Sequence, residues 1–191
     1  MNVAANVARA LAATAALVAT AIASPPVHKG HQPPAMATPY AGQDARAIAS
    51  LSAEDVAALL AGAGAGFAKS AELNGYPGPL HVLELADALK LAADQRHAVQ
   101  ASFDRMKVKA VEIGARYVAA EIAVDAALRA GAQADVADRV LEAEKLRSEL
   151  RLAHLAAHIE ITPLLTPEQR QHYARLRGYG TGASHDRNHK H

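Results

Sequence analysis

Between Asp94 and Leu128 the apolar residues keep one repeating interval. Phe103, Met106, Ala110, Ile113, Tyr117, Ala120, Val124 and Ala127 recur at alternating steps of three and four, the seam that a long helix presents to a partner helix. Such a helix would span roughly 50 Å at 1.5 Å per residue. Gly131 is a natural stop, so the chain is predicted to fold back there as a helical hairpin. The returning helix, about Asp135 to Ile161, carries two apolar stripes when each residue is turned by about 100°. Val136, Ala143, Leu146, Leu150, Ala153, Ala157 and Ile161 form the first. Leu141, Leu152, Leu155 and Ile159 form the second, on nearly the opposite side. One stripe meets the outgoing helix; the other faces the remaining helices, a second copy of the chain or a client.

Shorter elements flank this hairpin. Ser52 caps a helix whose third position is Asp55, an acidic variant of the capping box. Gly62-Ala-Gly-Ala-Gly66 weakens that helix, at up to about 1 kcal/mol per glycine. It either admits a second backbone at close range or breaks the element. Gly75-Tyr-Pro-Gly-Pro79 is a turn, with Pro79 suited to the first position of the next helix. Pro163 ends the returning helix, and Thr166 opens a last one through about Leu176. The class is therefore all-α: a long antiparallel helical hairpin with shorter flanking helices. Residues 24–50, rich in Pro, His, Ala and Gln, read as a flexible arm, and 181–191 as a polar, histidine-containing tail.

The first 23 residues read as a cleaved secretory signal. Arg9 marks a short charged start, an uncharged Ala-rich stretch follows from Ala10, and Ala21-Ile-Ala23 places small residues at the cleavage positions. That stretch falls short of the roughly 20 apolar residues of a spanning helix. The expected location is the periplasm. There is no cysteine, which removes disulfides, thiolate metal sites and thiol nucleophiles. Twenty basic and 19 acidic residues leave a net charge of +1, and no basic cluster is interleaved with aromatics. Nucleic acid drops out as a partner on those grounds.

Two short motifs repeat along the chain: Leu91-Ala-Ala-Asp-Gln95 and Leu165-Thr-Pro-Glu-Gln169. In the second, Thr166 can cap, Pro167 fits the first helical position, and Gln169 can reach back to the cap. In the first, Ala92 stands where Thr is expected; a side-chain cap is missing, and the preceding helix is predicted to run straight through. These motifs, with Leu73-Asn-Gly-Tyr-Pro-Gly-Pro79 and Tyr173-Ala-Arg-Leu-Arg-Gly-Tyr179, resemble the Spy/CpxP family of small periplasmic helical proteins from about Ser50 to Gly180. That family includes ATP-independent chaperones, envelope-stress regulators and related heavy-metal sensors. The resemblance implies a cradle-shaped dimer and Leu91, Gln95, Leu165, Thr166 and Gln169 as the family motif. The implied partners are unfolded or misfolded periplasmic proteins, or a membrane signalling protein.

No pattern for catalysis stands out: no Gly-x-Ser-x-Gly turn is present, and the glycine run at 62–66 lacks the Lys-Ser/Thr ending of a phosphate loop. The expected function is to hold clients without nucleotide or required cofactor. Leu141, Leu152, Leu155 and Ile159 would form the apolar face, with Arg147 and Arg151 on its rim. His154 and His158, four apart on one helix, give the alternative, since that spacing lets two imidazoles share a divalent transition metal. With a turn near Ala132, His154 lies opposite Ala110 and His158 opposite Met106, a soft third ligand. Glu121 and Asp125 instead face Ala143 and Arg139, as a structural salt bridge. Arg147 and Arg151 share the histidine flank and disfavour a cation. Further ligands would come from His81, Glu84, His28 or His31. The pair reads either as two histidines at the edge of a helix seam or as this metal site, and nickel or cobalt binding through histidine and carboxylate is what the related sensors imply.

Overall fold

The computed structural model describes residues 38–179. The signal segment, most of the arm and the histidine-containing tail lie outside the described residues. Six α-helices follow in order: α1 (Ala53–Leu60), α2 (Lys69–Leu73), α3 (Pro79–Glu84), α4 (Ala93–Arg129), α5 (Gln133–Ile161) and α6 (Pro167–Leu176), with a 3-10 turn at Thr162–Leu164 before α6. Among the described residues there is no β-strand beyond one isolated bridge, Ile48 to Leu51, and no helix long and apolar enough to cross a membrane. The protein is an all-α helical hairpin.

The hairpin follows the apolar spacing. α4 and α5 pack along their length, and Gly131, with φ 67°, makes the left-handed turn between them. Ala110, Ile113, Tyr117 and Ala127 of α4 are buried, as are Ala143, Leu146, Leu150, Ala153, Ala157 and Ile161 of α5. Val136, near the turn, is only partly covered. Ser102 is buried in the same seam and donates to Glu160 at 2.9 Å, and Arg105 also reaches that carboxylate.

The N-terminal elements lie against the hairpin: α1 on α4, α2 on α5, and α3 across both. Ser52 caps α1 as expected, its hydroxyl accepting from the Asp55 N–H at 3.0 Å while the Asp55 carboxylate accepts from the Ser52 N–H at 3.0 Å. The Ser52 hydroxyl, which also donates to that carboxylate at 2.8 Å, and the Ser52 N–H hold the Asp55 carboxyl below its usual range. The chain then leaves the helix at the glycine run. α1 crosses α4 at Gly114, where an added methyl would collide with the Leu59 carbonyl oxygen. The arm ends earlier than Ser50: Ile48 is buried in the mid-hairpin core with Leu59, Ile113 and Leu146, Ser50 donates to Glu121 at 2.6 Å, and Arg129 donates to the Arg46 carbonyl at 3.3 Å.

The expected salt bridge to Arg139 is replaced. Asp125 pairs with Arg129, one turn along its own helix, at 2.8 Å, and Glu121 is taken by Ser50. An intrahelical partner at i+4 costs less side-chain ordering than one across the seam.

A second core gathers at the open end of the hairpin. Val82, Ala86 and Leu89 meet Leu91 and Val99 on one side, and Ile161, Leu165 and Tyr173 on the other. Gly114→Ala should destabilise the fold by about 1–3 kcal/mol, because α1 has no slack at its crossing point. Thermal and urea unfolding followed by helical circular dichroism would read the loss; an unchanged midpoint would contradict that close crossing.

Candidate functional site

The two repeated motifs meet in space. Gln95 and Gln169 form a reciprocal amide pair: Gln95 Nε2 donates to Gln169 Oε1 at 2.9 Å, and Gln169 Nε2 donates to Gln95 Oε1 at 3.1 Å. Each Oε1 also accepts a backbone N–H from its own helix start, Ala92 at 3.0 Å and Thr166 at 2.9 Å. Each second amide hydrogen crosses to the other motif, Gln95 to the Leu164 carbonyl at 2.7 Å and Gln169 to the Leu89 carbonyl at 3.3 Å. Both donors and both acceptor positions of each glutamine are thus used. A carboxylate at either position could not donate, so the pairing needs two amides.

The expectation that the helix before Leu91 runs straight through is not met. α3 ends at Glu84, Lys90 takes a left-handed φ of 51°, and Ala92 is extended at the start of α4 without a side-chain cap. Gln95 supplies what Ala92 lacks, because its Oε1 occupies the Ala92 N–H. Thr166 makes the full capping box, its hydroxyl accepting from Gln169 N–H at 3.2 Å. Leu91 and Leu165 are buried beneath the clamp. The five motif residues therefore join two helix starts to one core.

The second stripe of α5 divides as its helical angles require. Leu141, Leu152 and Ile159 are 68, 64 and 58 % exposed, while Leu155 is half-buried. Arg147 and Arg151 are exposed beside them. Arg147 has a single loose pairing, with Glu144 at 3.5 Å. The two arginines also wall a groove of about 430 Å³ with Phe67, Lys69 and Leu73. Leu141, Leu152 and Ile159 thus share one exposed flank of α5, and the two arginines border α2.

His154 and His158 are both buried, with different surroundings. His154 stacks on Phe67, ring centroids 6.0 Å apart and planes 8° from parallel, and its Nε2 has no hydrogen-bond partner. Burial first, then the nearby His158 and Lys107, push its pKa down. His158 Nδ1 donates to the Tyr76 carbonyl at 2.9 Å, which fixes that tautomer, and its ring packs closely on Gly78, where an added methyl would press against it at 3.0 Å. Met106 packs in the aliphatic core with Leu59 and Ile113. Among the described residues, no three His, Asp or Glu side chains are gathered round a common point for a metal.

His158 lines another groove, of about 550 Å³, with Glu72, His81, Leu73, Leu80 and Arg177. His81 Nδ1 donates to Glu84 at 2.8 Å, so both imidazoles hold Nδ1 to an oxygen and have Nε2 uncommitted. Glu72 is engaged already: Tyr173 donates to it at 2.6 Å, and Arg177 stands 3.9 Å away. Burial and that carboxylate push the Tyr173 pKa up. Phe67 and Glu72 belong to no motif in the sequence, and Tyr173 stands there only as the first residue of the closing motif Tyr173–Tyr179. Their roles depend on pairings across long stretches of chain that no local periodicity records.

Comparison with known proteins adds no relative: no family model, curated protein or solved structure matches this chain.

Removing either half of the glutamine pair leaves the other amide and a helix start unsatisfied. Gln95→Ala and Gln169→Ala should each cost about 1–3 kcal/mol. The double variant should cost clearly less than their sum. A double-mutant cycle on urea midpoints checks this, and strict additivity would rule out direct coupling.

Proposed function

We propose that this chain is an exported periplasmic holding protein of the Spy/CpxP kind. It is read as an ATP-independent chaperone or envelope-stress protein that binds unfolded or misfolded clients. The observation carrying this reading is the exposure of Leu141, Leu152 and Ile159 along one flank of α5, with Arg147 and Arg151 beside them. Leu141 and Ile159 are separated by roughly 27 Å of helix, long enough to take an extended segment at several points. Aliphatic contacts of this kind are non-directional, so they tolerate many client sequences, and the rim adds attraction for acidic ones. Release needs no nucleotide because each contact is weak. A second copy of the chain, pairing into a cradle, would bring two such flanks together. No catalytic step or required cofactor belongs to this reading.

Leu152→Ser with Ile159→Ser should weaken client capture by at least about tenfold, since each leucine-sized side chain contributes about 1.5–3 kcal/mol when fully buried. The readout is light scattering from a denatured client with increasing amounts of folded variant. Val108→Ser, an exposed apolar position on α4, serves as the control. Unchanged suppression by a folded double variant would remove this face from the function.

The groove at His158 favours a second reading, a periplasmic heavy-metal sensor. An imidazole whose Nδ1–H is held by a carbonyl or carboxylate and whose Nε2 is uncommitted has the outer-shell arrangement of a metal ligand. His81 and His158 both have it. His154, stacked under Phe67, does not line that groove. Two imidazoles do not complete a site; the sequence offers further histidines, among them His185, His189 and His191. On this reading, calorimetric titration with nickel, cobalt, copper or zinc shows one stoichiometric site that His81→Ala or His158→Ala abolishes and His154→Phe retains. Absence of heat, or binding that only tail removal abolishes, would exclude the sensor.

A further inference from the structure

Arg147, Arg151, Leu155 and Ile159 stand four apart along α5, so their side chains follow one another in a single row on the helix surface. The row is cationic at one end and aliphatic at the other. Both arginines and Ile159 are exposed, and Leu155 is half-buried. α2 adds a third cation at the charged end. Lys69 lines the groove of about 430 Å³ together with Arg147 and Arg151, and Phe67 and Leu73 give that groove an apolar wall.

Three like charges are thereby gathered without a counter-charge. No carboxylate lines the groove. Among the described residues Lys69 and Arg151 have no ion-pair partner, and Arg147 has only its loose contact with Glu144. By contrast Arg96 pairs with Asp87, Arg105 with Glu160 and Arg129 with Asp125. Two arginines one helical turn apart repel each other, and the packing of α2 brings a lysine to them. Such a groove suits a carboxylate. Guanidinium groups can hold it through paired N–H donors, and the apolar wall lowers the local dielectric, which strengthens the attraction.

We propose that this row reads one face of an extended client segment, taking carboxylate side chains among Lys69, Arg147 and Arg151 and aliphatic side chains on Leu155 and Ile159. The spacing carries the register. Successive members of the row are about 6 Å apart along the helix axis. In an extended chain the side chains of one face recur every second residue, about 6.6–6.8 Å apart. Over three steps the two repeats drift by only about 2 Å, within the reach of an arginine side chain. The client pattern that fits is two acidic residues at alternate positions continuing into two aliphatic residues at alternate positions, in either chain direction. Neighbouring acidic residues out of that phase point to opposite faces of the strand, and one of them misses the groove. The place of this preference in client holding rests on the role proposed above; the preference itself belongs to the row alone.

Fluorescence anisotropy of short labelled peptides with the full chain tests the row. One peptide alternates serine with two aspartates and then two leucines. A second has the same composition with the aspartates adjacent and the leucines adjacent. A third carries asparagine in place of aspartate. The wild type should bind the first at least about fivefold more tightly than either of the others, and its advantage over the asparagine peptide should shrink as salt is raised. Arg147→Glu with Arg151→Glu, both exposed positions, should favour a peptide with lysine in place of aspartate; arginines with a purely structural role would weaken all peptides alike. Lys69→Gln should weaken the aspartate peptide at least about threefold and leave the asparagine peptide unchanged. Equal binding of the first two peptides would overturn the register. Equal binding of the aspartate and asparagine peptides, or binding of neither, would overturn the carboxylate groove. Suppression of client aggregation, measured on the same wild-type protein, keeps the two readings apart. Suppression without any peptide preference overturns the row and leaves the holding role standing; peptide preference without suppression supports the row and overturns the holding role.

Discussion

Two antiparallel helices have two broad faces, and the N-terminal elements, lying against one, leave α5's second stripe open. Everything distinctive about this molecule depends on that shortage of cover. α1, α2 and α3 are each fewer than ten residues long and are held by contacts with the rest of the fold: Leu59 of α1 in the mid-hairpin core, Val82 of α3 in the core at the open end, and Glu72 of α2 on Tyr173. Isolated helices of such length are marginal in water, so their order comes from the hairpin they lie on. Among the described residues, the reverse flank of α5 receives nothing comparable. Leu141, Leu152 and Ile159 remain in solvent, where a folded monomer would gain by hiding them.

The open end of the hairpin raises a different problem. Two helix starts, at Ala92 and Thr166, converge there, each with orphan backbone N–H groups. The glutamine pair occupies one backbone N–H at each start, that of Ala92 and that of Thr166, and adds two bonds to carbonyls across the gap. Buried polar groups destabilise when half satisfied and specify a geometry when fully satisfied. Here the count closes, so the repeated motif works first as a structural joint. The apolar cluster of Val82, Leu89, Leu91, Ile161 and Leu165 lies with it and supplies the non-directional part of the attachment. The joint fixes where α3 and α6 sit, and hence where Tyr173 stands to hold Glu72 of α2.

The segment Phe67–Pro77, which contains α2, is anchored by both kinds of contact: Ala68, Ala71 and Pro77 are buried, Phe67 stacks on His154, and the Tyr76 carbonyl accepts from His158. The same short segment separates a basic groove walled by Arg147 and Arg151 from a second groove that holds His158 and His81.

The amino-acid sequence by itself determined the hairpin, its turn, the buried stripe of α5 and the capped starts of α1 and α6. Each of these is local or periodic: a heptad interval selects one helix face, a glycine past the last turn ends it, and a capping residue satisfies its own neighbours. Predicted bounds of Asp94–Leu128 and Asp135–Ile161 became Ala93–Arg129 and Gln133–Ile161. Tertiary structure alone decided which stripe was covered, that the chain breaks before α4 despite Ala92, that Asp125 turns to Arg129, and that His154 and His158 meet different partners. Those outcomes are set by residues far apart in the chain: Gln95 with Gln169, Phe67 with His154, Tyr76 with His158, Glu72 with Tyr173. Such pairs are chosen by how the short elements settle on the hairpin, and no interval along the sequence encodes that placement.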